Sequence, residues 1–244
     1  MARLLLPASI RRRHRPQSLS TPLDNTGARP VLIWDLPTRL GHWLLVILVA
    51  LSWWSGAAGG TAFVVHQWSG GGILTLLLFR LAWGVVGGEC ARFAHFVQGP
   101  ARVRDALREL LTPTARAAAG HNAVGGWMVV ALLLSLLVQT ITGLFANDDI
   151  MNEGPLYAWV GTDVSDTLSR VHAANFAVLV SLIAVHLVAI VYHRLRKGEA
   201  LTRSMLSGYR MLPHTIAAPR RASAWLAAVL LAVSAGMVAL LIKL

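Results

Sequence analysis

Five apolar runs, at about 40–58, 66–88, 124–146, 168–193 and 224–242, constrain this chain more than any other feature. Each is long enough to cross a hydrocarbon core of about 30 Å at a rise of about 1.5 Å per residue. Backbone groups in lipid must be satisfied within the spanning segment, and the runs lack the alternation of a barrel strand, so each reads as a helix. The fold class is therefore all-α, an integral membrane helical bundle. Composition supports this: 55% hydrophobic residues, 14% charged residues and a mean hydropathy of +0.58 lie outside the usual range of a soluble domain. The 244 residues leave no room for a sizeable extramembrane domain. The expected organisation is a basic N-terminal tail over 1–36, a four-helix core over 37–212, and a linker with a fifth, C-terminal transmembrane helix over 213–244.

The net charge of +11 does not point to nucleic acid, because the basic residues cluster beside the apolar runs, where anionic lipid and the positive-inside rule account for them. Residues 1–39 hold seven Arg, 89–123 hold five, and 194–221 hold seven Lys or Arg; these three segments are assigned to the cytoplasm. The loop 147–167 carries Asp148, Asp149, Glu153, Asp163 and Asp166 without Lys or Arg, and is assigned to the periplasm. The N-terminus is then cytoplasmic and the C-terminus periplasmic, which requires an odd number of spans. The apolar stretch Met1 to Leu6 is too short for a secretory signal and is followed by Arg11, Arg12, Arg13 and Arg15, so it reads as part of a cytoplasmic tail. Between the second and third runs, Phe93 to Leu111 mixes apolar residues with Arg102, Arg104 and Arg108 at spacings that suit a surface-lying linker helix at the interface.

Ionisable side chains inside spans demand an explanation, and His42, His66, His172 and His186 are such residues. Orientation places His42 near the cytoplasmic start of the first span and His66 at the periplasmic start of the second. His172 and His186 lie fourteen residues apart on the fourth. That interval is about 21 Å along the axis with a net rotation of only about 40°, so both imidazoles leave one face of the helix. Matched by depth, His66 pairs with His172 and His42 with His186. Two opposed imidazoles suit a bis-histidine low-spin haem, whose chemistry is electron transfer; a zinc site would need more ligands at each depth. Cys90 is the single cysteine and no C-x-x-C-H run exists, so any haem is held without covalent attachment. His193, seven residues beyond His186 and on nearly the same face, competes for the cytoplasmic position; depth favours His186. Gly41, Gly70, Gly71, Gly72, Ala173 and Ala174 beside these histidines leave clearance for a flat macrocycle or for helix packing.

Several motifs are then telling: W-D-L-P-T-R-L-G-H-W at 34–43, F-R-L-A-W-G at 79–84, G-H-N-A-V-G-G-W-M at 120–128 and L-F-A-N-D-D at 144–149. The chain resembles the bacterial cytochrome b561 superfamily, and more closely the branch similar to the di-haem cytochrome b subunit of nickel-iron hydrogenases, over about 30–210. The resemblance implies a four-helix core with two non-covalent b-type haems at His42, His66, His172 and His186, in a multi-pass protein of the bacterial inner membrane. Gly41 departs from the bulky residue often found before the first histidine in that family, which bears on haem packing and not on ligation. The expected function is electron transfer between a quinone and a periplasmic or membrane-bound redox partner, such as a periplasmic cytochrome c or another redox subunit. Two alternatives are a superoxide:quinone oxidoreductase and a haem-free membrane anchor or transporter subunit. A homodimer is compatible with all three.

Three further positions are candidates for cofactor binding. Arg80 lies well inside the second span and needs an anion, for which a haem propionate is preferred over a quinone oxygen or snorkelling to the surface. His121 and Asn122 open the third span, where His121 can bond a propionate or exchange a quinone proton and Asn122 can cap the helix. Of nine tryptophans, Trp34, Trp43, Trp68, Trp159 and Trp225 fall near span ends and read as interfacial anchors.

Overall fold

The computed structural model describes residues 27–110 and 120–243; the tail before residue 27, with its arginine cluster and His14, lies outside the described residues, as does Arg116. Five helices are long and apolar enough to cross a membrane. These are α1 (Leu36–Ala58), α2 (Phe63–Val86), α5 (Ala123–Phe145), α6 (Thr162–Lys197) and α8 (Ala224–Lys243). The protein is thus an all-α, multi-pass membrane protein. Local chemistry sets the helix ends. The Asp35 side chain accepts from Thr38 N at 2.8 Å to cap α1, with Pro37 in its first turn, and Asn122 caps α5 through Gly125 N at 2.7 Å. Helix α6 closes on Gly198 in the left-handed conformation, with Arg194, Arg196 and Lys197 in its last turn, where cations complement the helix dipole. It begins six residues earlier than hydropathy places it, because Thr162 to Thr167 are mostly polar yet helical.

Helix α2 is the hub. It packs against α1, α5 and α8, while α6 packs on α5. Ile73 and Leu77 of α2, Leu136 of α5 and Leu179 of α6 form one buried cluster, and Phe79 and Trp83 of α2 meet Ala227 of α8 in another. Helices α1 and α6 share only slight backbone contact, though Trp53 and Phe176 reach across with ring centroids 5.6 Å apart. All four span histidines lie on α1, α2 and α6.

Two features differ from the sequence reading. The linker between the second and third spans is broken at Gly99–Pro100 into α3 (Phe93–Phe96) and α4 (Pro100–Leu110), because proline cannot continue the helix before it. Only α4 is strongly amphipathic; α3 turns inward and Phe96 is fully buried. The second is a small antiparallel ribbon of β1 (Ala28–Leu32) and β2 (Tyr209–Pro213), from Ala28 opposite Pro213 to Leu32 opposite Tyr209. It follows α7 (Leu201–Ser207), whose Met205 carbonyl accepts from Trp43 Nε1 at 3.4 Å. Its inner face, Val31 and Leu212, buries with Ile33, Trp34 and Cys90 at the basic end of the bundle. Trp34 is therefore a core residue and not an interfacial anchor, whereas Trp68, Trp159 and Trp225 are exposed as expected of anchors.

Candidate functional site

At the end of the bundle that carries the acidic loop, α2 and α6 bring His66 and His172 together, with ring centroids 6.1 Å apart and planes at 74°. Two metal–imidazole bonds of about 2 Å, with the short distance from each nitrogen to its ring centre added, span about 6 Å. The spacing fits one iron between the rings. Each ring is also oriented. His66 Nδ1 lies 2.8 Å from the Ser52 carbonyl of α1, and His172 Nδ1 lies 2.9 Å from the Gln139 carbonyl of α5. A carbonyl only accepts, so Nδ1 carries the proton in both and Nε2 keeps its lone pair for a metal.

Sequence reasoning missed the devices that make these contacts. A Cβ on Gly56 would stand 2.9 Å from His66 Nδ1, and one on Gly143 would stand 2.9 Å from His172 Cε1. Each glycine lies four residues after the carbonyl that receives the imidazole, so the missing side chain clears the approach to that carbonyl. The hydroxyls Ser52 Oγ and Thr142 Oγ1 sit 3.3 Å from the same nitrogens. Behind His172, Asn175 donates to Gln139 Oε1 at 2.6 Å and to the Ser135 carbonyl at 2.9 Å, and Gln139 Nε2 donates to the His172 carbonyl at 3.1 Å. Polar residues at these depths were the available signal.

At the basic end, His42 of α1 and His186 of α6 lie within electrostatic reach of each other, and His121 within reach of both and of Arg80. Three nitrogens in this cluster, His42 Nδ1, Arg80 Nη1 and His121 Nδ1, are shielded from solvent and have no hydrogen-bond partner among the described residues. Native interiors rarely leave such groups orphaned. The Arg80 guanidinium carbon lies 5.0 Å from the Phe93 ring centre and 5.9 Å from that of Phe96, so the inward turn of α3 flanks it with aromatic rings. The rings of Trp34 and Phe96 pack on His121 at 4.7 and 5.0 Å. Burial, then the Arg80 cation, push the His121 pKa down to about 3, so its imidazole is neutral near pH 7 and presents one N–H donor and one acceptor nitrogen. An acidic group entering beside Arg80 and His121 would satisfy the orphaned donors, as haem carboxylates do. Asp35 is the nearby fixed charge, but its oxygens already accept from Thr38 N and, at 3.2 Å, Trp83 Nε1.

Asn122 spends its side-chain oxygen on the α5 cap. His193 Nδ1 lies 2.9 Å from Glu199 Oε2, and Arg210 Nη2 lies 2.7 Å from Glu199 Oε1, in a largely buried trio at the end of α6. Gly41 has ordinary room, since a Cβ there would lie 3.8 Å from Phe79.

A family model described as prokaryotic cytochrome b561 matches residues 33–208, which include the four span histidines, Arg80 and His121 and end before α8. Neither a curated protein nor a solved structure matches the chain at a significant level.

Proposed function

We propose, for a chain that belongs to the prokaryotic cytochrome b561 family and is thereby a membrane protein of b-haem electron transfer, that it is a di-haem conduit between a quinone and a second redox partner. His66 and His172 would hold one haem at the acidic end, and His42 and His186 a second at the basic end, as two sites of the four-helix core 37–212. Bound there, the haems supply reversible one-electron chemistry with no open iron position. The protein does the rest. The Ser52 and Gln139 carbonyls fix the tautomer and direction of His66 and His172. Arg80 and His121 offer buried donors to the carboxylates of the haem at the basic end, or to a quinone oxygen beside it. The basic segments assign the N-terminus to the cytoplasm and the acidic loop to the periplasm of a bacterial inner membrane, where a periplasmic cytochrome c or a membrane-bound redox subunit could dock.

The observation that carries this reading is the 6.1 Å separation of the His66 and His172 rings, with both Nδ1 atoms seated on helix carbonyls. The test is a reduced-minus-oxidised optical spectrum of the purified protein with haem counted per chain, repeated for His66→Ala and His186→Ala. Two haems per chain, falling to about one in each variant, are expected. A haem-free chain, or a count that neither variant changes, rejects the proposal in favour of an anchor or transporter subunit.

A further inference from the structure

The two ends of the bundle treat their imidazoles differently. At the acidic end both rings donate Nδ1–H to a backbone carbonyl, at 2.8 and 2.9 Å. The two supports are built alike on different helix pairs. Ser52 receives His66 and is followed four residues later by Gly56; Gln139 receives His172 and is followed four residues later by Gly143. A hydroxyl one residue before each glycine, Ser55 or Thr142, turns back to its own helix, donating to Leu51 O at 2.6 Å and Val138 O at 2.7 Å. At the basic end His42 Nδ1 has no hydrogen-bond partner among the described residues, and the Arg80 cation lies within electrostatic reach of His121, which is itself within reach of His42 and His186.

Both contrasts act in one direction on an iron atom. An imidazole that donates its outer N–H to a carbonyl is a more basic ligand, which favours the ferric state. A ligand with no such acceptor, in a site whose haem carboxylates would face a buried cation, favours the ferrous state, because reduction adds a negative charge to the site. From this asymmetry we infer that Gly56 and Gly143 are positioning residues that hold the acidic-end site at a lower reduction potential than the basic-end site, so that electrons run downhill from the acidic end toward the basic end. One electron would pass from a haem held by His66 and His172, which would be oxidised, to a haem held by His42 and His186, which would be reduced; no bond would break and no proton would move. This inference rests on the two-site ligation proposed above and adds the order of the potentials and the residues that set it.

Redox titration of the purified holoprotein, followed in the visible haem bands, tests it. The wild type should give two one-electron components of unequal potential. Gly143→Ala, whose Cβ would displace the His172 ring from its carbonyl, should raise the lower component or remove it, leaving the upper one in place. Gly56→Ala should do the same through His66. Arg80→Gln should lower the upper component alone. A Gly143→Ala or Gly56→Ala effect on the upper component, no effect on either, or a single unresolved component in the wild type overturns the inference. Fewer than two haems per wild-type chain would instead defeat the ligation reading beneath it, and haem quantification separates the two failures.

Discussion

Gln139 and Asn175 are polar residues that a spanning helix tolerates only in company. Asn175 donates to the Gln139 side chain, and Gln139 in turn holds the backbone of the helical turn that carries His172. Asn175→Leu would leave part of that set unsatisfied in an apolar interior, a loss of about 1–3 kcal/mol. Faster thermal loss of absorbance from the acidic-end haem, with the basic-end component unchanged, is the expected outcome. Arg80 is the second such residue. Charge-assisted hydrogen bonds contribute about 1.5–3 kcal/mol, so Arg80→Leu should weaken haem retention at the basic end by roughly ten- to a hundredfold, measured as haem transfer to an apo-globin acceptor. Retention equal to wild type would show that Arg80 addresses no carboxylate.

At the scale of elements, two polar side chains organise backbone at the ends of spans. Asp35 caps α1 with one oxygen and accepts from Trp83 of α2 with the other. Asp35→Ala should cost about 1–2 kcal/mol in thermal or denaturant unfolding, and Asp35→Asn clearly less, because asparagine is as good a cap. In the loop after α5, Asp148 Oδ1 accepts from the backbone N–H of Ile150, Met151 and Asn152. These bonds, that of Asn152 foremost, hold its carboxyl well below the usual carboxylate range. A depressed folded value means that the stabilisation is complete above the unfolded pKa of about 4 and is lost as pH falls below it toward the folded value. Peptide-resolved hydrogen exchange over 147–153, corrected for intrinsic rates, should quicken as pH drops below about 4 in the wild type and show no such step in Asp148→Ala. The same loop is tied to α2 by Gln67 Nε2 donating to Glu153 O at 3.0 Å, one residue from His66.

For the molecule as a whole, α2 packs against α1 and α5 of the four-helix core and against α8, which bears no histidine. A Cβ on Gly71 of α2 would already stand 3.1 Å from the Ile242 side chain of α8, so close approach of these two helices depends on a small residue there. Since the family match ends at residue 208 and no span histidine lies on α8, a chain ending after Pro213 should retain its haem-to-protein ratio while losing thermal stability. Loss of haem on truncation would assign α8 to the cofactor sites. The ribbon of β1 and β2 clamps the basic end, and its cluster carries Trp34 onto His121.

Spans and fold class were legible in the sequence because lipid permits one backbone solution, and the span histidines stood out because lipid penalises each buried ionisable group. The fourteen-residue interval on α6 was equally plain, being set by helix geometry. What sequence could not supply depends on contacts between distant segments. The ribbon joins residues about 180 positions apart through five-residue strands with no signal of their own. The α3 turn reads as surface until Gly126, whose added Cβ would collide with the Phe96 carbonyl, shows how closely it docks on α5. Gly56 and Gly143 look like ordinary small residues in apolar helices; only tertiary structure sets an imidazole from another helix over each. Local rules fix what each segment is, whereas hydrogen bonding across helices fixes which carbonyl each imidazole finds.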